Sequence, residues 1–500
     1  MASVTVQPAD RYNEELVSHV HPSDWNNPEP SGPYNVVVIG AGTAGLISAS
    51  VAASLGAKVA LIERHLMGGD CLNVGCVPSK GLIRSARMVA ETRRAGEFGL
   101  RLSNAGELDF ATVTERMRRI RSEISHHDST ARYRDEFGVD VYLGEARFTG
   151  KDRIEVDGKE LRFARAIIAT GARAAAPPIP GLEEAGYLTN ETLFELTELP
   201  KRLAVLGGGP IGCEMAQTFR RFGSEVSLVE MAPRILPRED PDVSELLMQK
   251  LSSEGVQLLT ERGVTGVASS GGGKRLSLSN GEEIEVDQLL VAVGRAPNVA
   301  GLGLEEAGIS YDRRSGVEVN KYLQTSNRRV YAAGDIAYTY KFTHAAEATA
   351  AIAVQNALFL RTKKTDGLVI PWVTYTSPEV AHVGINEAQA NESAGDIETY
   401  THHFDATDRG RLDGESGIVK LHARKGRLLG ATVVGEHAGE MIGELVLALQ
   451  KGMSLGDLNG VVHPYPTQAE AIKRAAAGPM KAKLTARTKA LLGKWMALRR

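Results

Sequence analysis

One pattern occurs twice in this chain and limits how it can fold more than any other feature. Asn35–Ile39 is an apolar, β-branched run. It is followed by Gly40-Ala41-Gly42-Thr43-Ala44-Gly45, a small-residue helix over 43–55, and a second strand, Lys58–Ile62, that ends at Glu63. The plan returns as Arg202–Leu206, then Gly207-Gly208-Gly209-Pro210-Ile211-Gly212, a helix through Phe222, and the strand Glu225–Val229 ending at Glu230. In each copy the first glycine allows a tight turn, the second lets the backbone approach a pyrophosphate, and the third lets helix and strand pack closely. The acid after the second strand can bind a ribose hydroxyl. A lone glycine motif is weak, but a duplicated one with strand, helix and acid in place implies two dinucleotide sites. Glu230 would repel a 2′-phosphate, which favours NADH over NADPH, although nearby Arg234 could bind a phosphate.

Between the copies lies Gly68-Gly69-Asp70-Cys71-Leu72-Asn73-Val74-Gly75-Cys76-Val77-Pro78-Ser79-Lys80, with two of the three cysteines. In a regular helix, residues spaced as Cys71 and Cys76 are lie roughly 8–9 Å apart. A disulfide needs about 4.4–6.8 Å. If the two bond, the segment cannot be a straight helix, and Gly75 and Pro78 permit a distorted turn. A close cysteine pair in a chain otherwise nearly free of cysteine reads as catalytic redox chemistry. Two inert thiols or half a metal site are the alternatives. Metal sites usually use tighter spacing and more ligands, and no Cys/His cluster sits nearby. Cys213 reads as small core filler at a helix start. Glu214 beside it is either a helix N-terminal charge or a partner for a lysine.

At 500 residues the chain is too long for one core. Its hydrophobic content of 43 % and charge of 24 % are ordinary for a soluble protein. A net charge of −3 gives no case for nucleic-acid binding. The cysteine count fits a reducing compartment. No apolar run reaches membrane-spanning length and no signal peptide is visible, so a cytoplasmic location is expected.

The remaining segments divide as follows. Residues 1–33, rich in proline, read as an extended arm. Helices are expected over 81–99 and over 110–135, the latter so charged that it should be mostly solvated. Residues 139–168 read as a β-meander that closes on Ala169-Thr170-Gly171. Further strand-to-turn elements are 289–298, with Gly294, and Val330–Asp335. From Pro371 onward strands at 372–376, 380–383, 417–422 and 428–435, with helices at 386–391, 438–451 and 467–477, describe an α+β domain. The stretch 479–500 holds seven Lys/Arg and no acid. Such a basic amphipathic helix can lie on an anionic membrane. The expectation here is that it packs on its own protein or stays solvated.

Together these residues resemble the class I pyridine nucleotide–disulfide oxidoreductases over roughly 34–478, and mercuric reductase-like members most closely. The Cys71–Lys80 stretch, both glycine fingerprints, Ala169-Thr170-Gly171, Gly294-Arg295-Ala296-Pro297-Asn298, Ala333-Gly334-Asp335 and Tyr375-Thr376-Ser377-Pro378-Glu379-Val380-Ala381 match in order. The resemblance implies an α/β fold of two Rossmann-type dinucleotide-binding domains plus a C-terminal α+β dimerisation domain. The expected parts are an arm (1–33), an FAD-binding domain (34–186 and 300–367), an NAD(P)-binding domain (187–299), an interface domain (368–478) and a basic tail (479–500).

FAD would be held by Gly40, Gly42, Thr43, Ala44, Gly45, Glu63, Gly69, Asp70, Lys80, Thr170, Gly171 and Asp335. NAD(P)H would be held by Gly207, Gly209, Ile211, Gly212, Glu230 and Gly294. Cys76 would be the thiol against the flavin and Cys71 the interchange thiol. Lys80 would pair with Glu214 near flavin N5. The enzyme would be a homodimer whose active site is shared across subunits.

Disulfide reductases of this family carry His-Pro-Thr-x-x-Glu, whose histidine serves Cys71 of the other subunit. Here His463-Pro464-Tyr465-Pro466-Thr467-Gln468-Ala469-Glu470 puts Tyr465 at that position and keeps Glu470. A tyrosine, with a pKa near 10, is a poor proton shuttle at neutral pH. Mercuric reductases resemble the chain there, so Hg(II), bound transiently by Cys71 and Cys76, is the expected acceptor. Against this, mercuric reductases end in a vicinal cysteine pair, and no cysteine follows Cys213. His463 could replace the missing base or be a buried turn residue. A dihydrolipoamide dehydrogenase or other disulfide reductase is the alternative enzyme. An NADH- or redox-sensing binding protein is the alternative of another class.

Overall fold

The computed structural model describes residues 4–101, 108–392 and 396–500. They form two compact units. One comprises residues 1–208, 218–231 and 255–368, and the other 209–217, 232–254 and 369–500.

The first unit contains both dinucleotide sheets. The strand Tyr34–Ile39 lies between Val59–Glu63 and Lys159–Ile168, parallel to both, with Val36 opposite Val59 and Ile39 opposite Ile168. Asp140–Leu143 extends the sheet beyond Val59–Glu63, and Val330–Ala332 pairs on the far side of Lys159–Ile168. These strands are near-continuous apolar runs because the sheet is buried on both faces, by helices on one and by the antiparallel meander with residues 299–317 on the other. The second sheet repeats the order: Gln257–Leu259, Glu225–Val229, Arg202–Leu206 and Gln288–Val291, all parallel. Each copy also carries an antiparallel meander before its returning strand, Ala146–Gly150 with Arg153–Val156 in the first and Val264–Ser270 through Glu283–Val286 in the second. The duplication read from the fingerprints therefore extends to the four-strand order and its meander, while among the described residues Val330–Ala332 has no counterpart in the second sheet.

The arm is not extended. Arg11–Val20 is a helix whose N-cap, Asp10, accepts hydrogen bonds from the N–H groups of Tyr12 and Asn13. Leu16 and Val20 are fully buried in the core of the first sheet. Farther on, Asn27 brackets Leu143, accepting from its N–H at 2.8 Å and donating to its carbonyl at 2.9 Å. This covers the edge of the sheet, where unpaired backbone groups would otherwise recruit another strand.

The expected helix 110–135 is three pieces, Phe110–Ser125, His126–Asp128 and Thr130–Asp135. It is not mostly solvated. Arg118 and Arg121 are buried, and Arg118 Nε donates to Asp10 Oδ2 at 2.5 Å.

The second unit is built on an antiparallel sheet in the order Trp372–Thr374, Glu379–Gly384, Arg427–Gly435, Ile418–Arg424, Glu398–His403. The helices Ala438–Gln450, Leu455–Gly460 and Glu470–Ala476 bury Leu445, Leu455 and Ile472 against it. The tail is two helices, Gly478–Lys483 and Ala486–Ala497. Among the described residues no helix is long and apolar enough to cross a membrane.

Candidate active site

Cys71 sits in the short helix Gly69–Asn73, and Cys76 is the first residue of the helix Cys76–Arg94. The break at Val74-Gly75 is the distorted turn expected of a bonded pair, although both cysteines are free thiols here. At Gly75 a Cβ would lie 2.7 Å from the Asp70 carbonyl oxygen, so only glycine fits. The two thiols share a hydrogen bond, and Cys76 Sγ lies 3.4 Å from Thr343 Oγ1 at the start of the helix Thr343–Leu358. Cys71 is half-buried and Cys76 exposed. The hydrogen bond to Cys76 and then burial push the Cys71 thiol well above its ordinary range. Once one sulfur of such a pair is ionised, the other resists ionising. Lys80 is half-buried one turn along from Cys76.

Asn73 anchors this segment. Its side chain donates to the carbonyls of Met67 (3.0 Å) and Gly69 (2.8 Å), and its own carbonyl accepts from Arg121 at 2.6 Å. Arg121 also donates to Asn13 Oδ1 at 2.6 Å, which ties the N-terminal helix to the redox segment. Burial lowers Arg121 to about 10, so it stays charged at neutral pH.

At the first fingerprint Gly40 has φ +97°, and a Cβ there would lie 2.5 Å from the Ala169 oxygen. A Cβ on Gly45 would lie 1.7 Å from the Gly40 oxygen. Gly42, in contrast, faces only Gly69 Cα at 3.7 Å, leaving the N-terminus of the helix Thr43–Ser54 approachable. Thr43 and Ala44 open that helix. Glu63 is buried, accepting from Ala41 N–H at 2.7 Å and His65 N–H at 2.8 Å. Burial raises its pKa against those two bonds. Thr170 and Asn298 exchange two hydrogen bonds, Thr170 Oγ1 to the Asn298 oxygen at 3.0 Å and Asn298 Nδ2 to the Thr170 oxygen at 2.8 Å. Gly171 beside them has φ +67°.

Arg295 joins two of the expected flavin residues. Its guanidinium pairs with Asp70, and its Nε lies 3.6 Å from Asp335 Oδ2. That Nε is buried with no hydrogen-bond partner, and Lys341 donates to the Asp335 carbonyl at 2.6 Å. Burial raises the Asp335 carboxyl. An open glycine face at a helix N-terminus, an acid at the strand end and an unsatisfied buried guanidinium N–H suit a dinucleotide with an anionic linker. Arg295, Lys341 and Thr343 were not singled out from the sequence as site residues. Only Arg295, inside a quoted motif, left a local signal.

The second fingerprint repeats the first. Gly207 has φ +109°, with a would-be Cβ 2.6 Å from the Ala292 oxygen, while nothing lies within 4 Å of one at Gly209 or Gly294. Glu230 Oε2 accepts from Gly208 N–H at 2.6 Å. Ile211 and Gly212 lie in the first turn of the helix Pro210–Phe222, and Ile211 is exposed. Cys213 is fully buried.

In the second unit Glu214 is buried and accepts from Tyr375 N–H at 2.8 Å. His463 Nε2 lies 3.1 Å from Glu444 Oε2 on the helix Ala438–Gln450, and its Nδ1 is buried without a hydrogen bond. Tyr465 is 70 % exposed and donates to Asp408 Oδ2 at 2.6 Å; that bond and the Asp408 charge raise its pKa. Glu470 accepts from Arg474 at 2.6 Å. Thus both residues meet a carboxylate, and of the two only His463 is an imidazole, the group whose charge changes near neutral pH.

Residues 34–350 match the family model for pyridine nucleotide-disulphide oxidoreductases, and residues 370–476 match the dimerisation domain of the same family. The chain is 39 % identical to a mercuric reductase from Staphylococcus aureus, over 89 % of this chain and 82 % of the relative. It is 36 % identical to a dihydrolipoyl dehydrogenase from Thermus scotoductus, over 89 % of this chain and 96 % of that one. Among solved structures, the HOCl-induced flavoprotein disulfide reductase RclA from Escherichia coli superposes with a TM-score of 0.81 at 29 % identity, covering 89 % of this chain and 100 % of that one. The family uses FAD and NAD(P)H, and the dimerisation domain supports a homodimer. The chain belongs to the pyridine nucleotide-disulphide oxidoreductase family.

Proposed function

We propose that this enzyme uses NAD(P)H, with NADH favoured, to reduce a soft metal ion presented as a thiol complex, Hg(II) above all. The observation that carries this reading is Tyr465, exposed and hydrogen-bonded to Asp408 where a disulfide reductase needs a histidine base. The balanced reaction is NAD(P)H + H⁺ + Hg(SR)₂ → NAD(P)⁺ + Hg⁰ + 2 RSH. The net proton demand equals that of a disulfide, but thiolates displaced from a metal ion are stable anions that can take their protons from solvent rather than from a base beside Cys71. The mercuric reductases among the relatives, and RclA solved as a Cu(II) complex, support a metal acceptor.

Bound FAD would supply the two-electron link between nicotinamide and the cysteine pair. Gly40, Gly42, Gly45, Glu63, Asp70, Thr170, Gly171 and Asp335 would hold it within residues 34–186 and 300–367. Gly207, Gly209, Gly212, Glu230 and Gly294 would hold NAD(P)H within 187–299. Cys71, carrying the raised pKa, would keep its proton until it meets the acceptor. Cys76 would face the flavin, where Lys80 holds positive charge. In the homodimer His463, Tyr465 and Glu470 of one subunit would serve the Cys71 of the other. The proposed setting is the cytoplasm.

Disulfide reduction is the second reading, favoured by the His463–Glu444 pair. Steady-state NADH oxidation with Hg(II) in excess thiol, with NADPH in parallel, separates the two. Sustained Hg(II)-dependent turnover that is lost in Cys71→Ser, with flavin still bound, supports the metal reading. No Hg(II)-dependent rate, together with rapid turnover of lipoamide, overturns it.

A further inference from the structure

Among the described residues the tail helix Ala486–Ala497 is buried by none: every residue of it is exposed except the half-buried Thr488. Of the two expected arrangements, packing on its own protein or staying solvated, the helix shows the second. At about 100° per residue, Leu491, Leu492, Trp495, Met496 and the C-cap Leu498 fall in one sector. Their exposures run from 44 % to 84 %. Arg487 and Lys494 border that sector on one side and Lys489 on the other, while Ala486, Ala490, Gly493 and Ala497 face away. Basic side chains at the edges of an apolar sector can lay their aliphatic stems along it and keep their charges at its rim. Trp495, near the middle of the sector and with the Arg499 guanidinium 5.8 Å over its ring, has the amphipathic character favoured at a lipid headgroup boundary.

We propose that this helix docks the enzyme onto an anionic lipid bilayer. Charge selects that occupant. Residues 479–500 carry seven Lys/Arg and no acid, while the whole chain has net charge −3, so the remainder is net negative and would be repelled by anionic lipid. The tail alone is then attracted, and it sets the orientation of approach. Each basic residue near such a surface strengthens binding about fivefold, an effect that salt screens.

The test is co-sedimentation of the full-length flavoprotein with phosphatidylcholine vesicles, with and without phosphatidylglycerol. Binding is expected only to the anionic vesicles, with loss at high salt and a blue shift of tryptophan fluorescence. Lys489→Glu/Lys494→Glu should lower binding at least about tenfold, and Leu491→Glu/Trp495→Glu should abolish it. Both should leave flavin content, melting temperature and NADH oxidation unchanged. Failure to bind anionic vesicles, equal binding to neutral ones, or variants that bind like the parent would overturn the proposal. So would a fall in native mass of Leu491→Glu/Trp495→Glu, which would assign this face to a second copy of the chain.

Discussion

The backbone N–H of Ala41 donates to Glu63 Oε2 at 2.7 Å across the first glycine turn. Gly208 and Glu230 form the same bond, 2.6 Å long, at the second. In both copies the acid at the end of the second strand fastens the strand end to the glycine turn.

Glu63→Gln places an amide where two backbone N–H groups need acceptors. At least one buried N–H then loses its bond, at a cost of about 1–3 kcal/mol. The melting temperature and the retained FAD should both fall. Glu230→Gln should leave flavin content intact and raise the KM for NADH. Flavin absorbance of the purified variants and steady-state kinetics check both outcomes.

His463→Gln and Glu444→Gln should lower turnover of a disulfide substrate about 10²–10⁴-fold if this pair moves the proton. Their effect on Hg(II) turnover should be much smaller. Tyr465→Phe, which removes the hydroxyl bonded to Asp408, should lower Hg(II) turnover more than disulfide turnover. Equal losses on both acceptors for His463→Gln would show that the histidine only supports the turn.

Glu239 is buried, with Trp372 Nε1 donating to its Oε1 at 2.5 Å and its Oε2 without a hydrogen bond. Burial pushes its carboxyl up to about 7. Between its ordinary value and that one, the folded state holds a proton that the unfolded chain has released. Stability from this group is therefore full at low pH and declines as pH rises through about 7, by about 1–3 kcal/mol. Glu239→Gln keeps the Trp372 bond and should flatten the decline. Melting temperatures of both proteins across about pH 5 to 8 test this.

Lys420 is buried in the second unit. Its ammonium lies 3.1 Å from Asp240, 2.6 Å from Asp242 and 3.4 Å from Glu387. The carboxylate oxygens converge closely enough to hold a metal ion, but the lysine already provides the cation. Hydrogen bonds from His422, Lys420 and the Glu387 N–H hold the Asp240 carboxyl far below its usual range despite the opposing effect of burial. Lys420→Met strands that charge and should destabilise the protein by about 3–5 kcal/mol. Chemical denaturation checks the value.

Much of the site was legible in the sequence because its signals are local. Glycines that must adopt positive φ, an acid at a fixed offset and a glycine between the two cysteines each constrain the backbone within a few residues. Signals without local periodicity were missed. The helix Arg11–Val20 lies hidden among prolines, and the edge strand Glu398–His403 is polar throughout and buries no residue.

By itself the sequence determined the duplicated parallel sheets, the redox segment and the family, because strand, turn and helix propensities act between near neighbours. The tertiary structure alone decided which charges are buried and what they meet. Arg121 joins Asn13 to Asn73, Arg295 joins Asp70 to Asp335, Lys420 meets Asp240, and His463 takes Glu444 rather than Glu470. A charged side chain on a helix reads as solvated from sequence. Whether it is depends on a partner from another segment of the chain, and only folding brings that partner within hydrogen-bond reach.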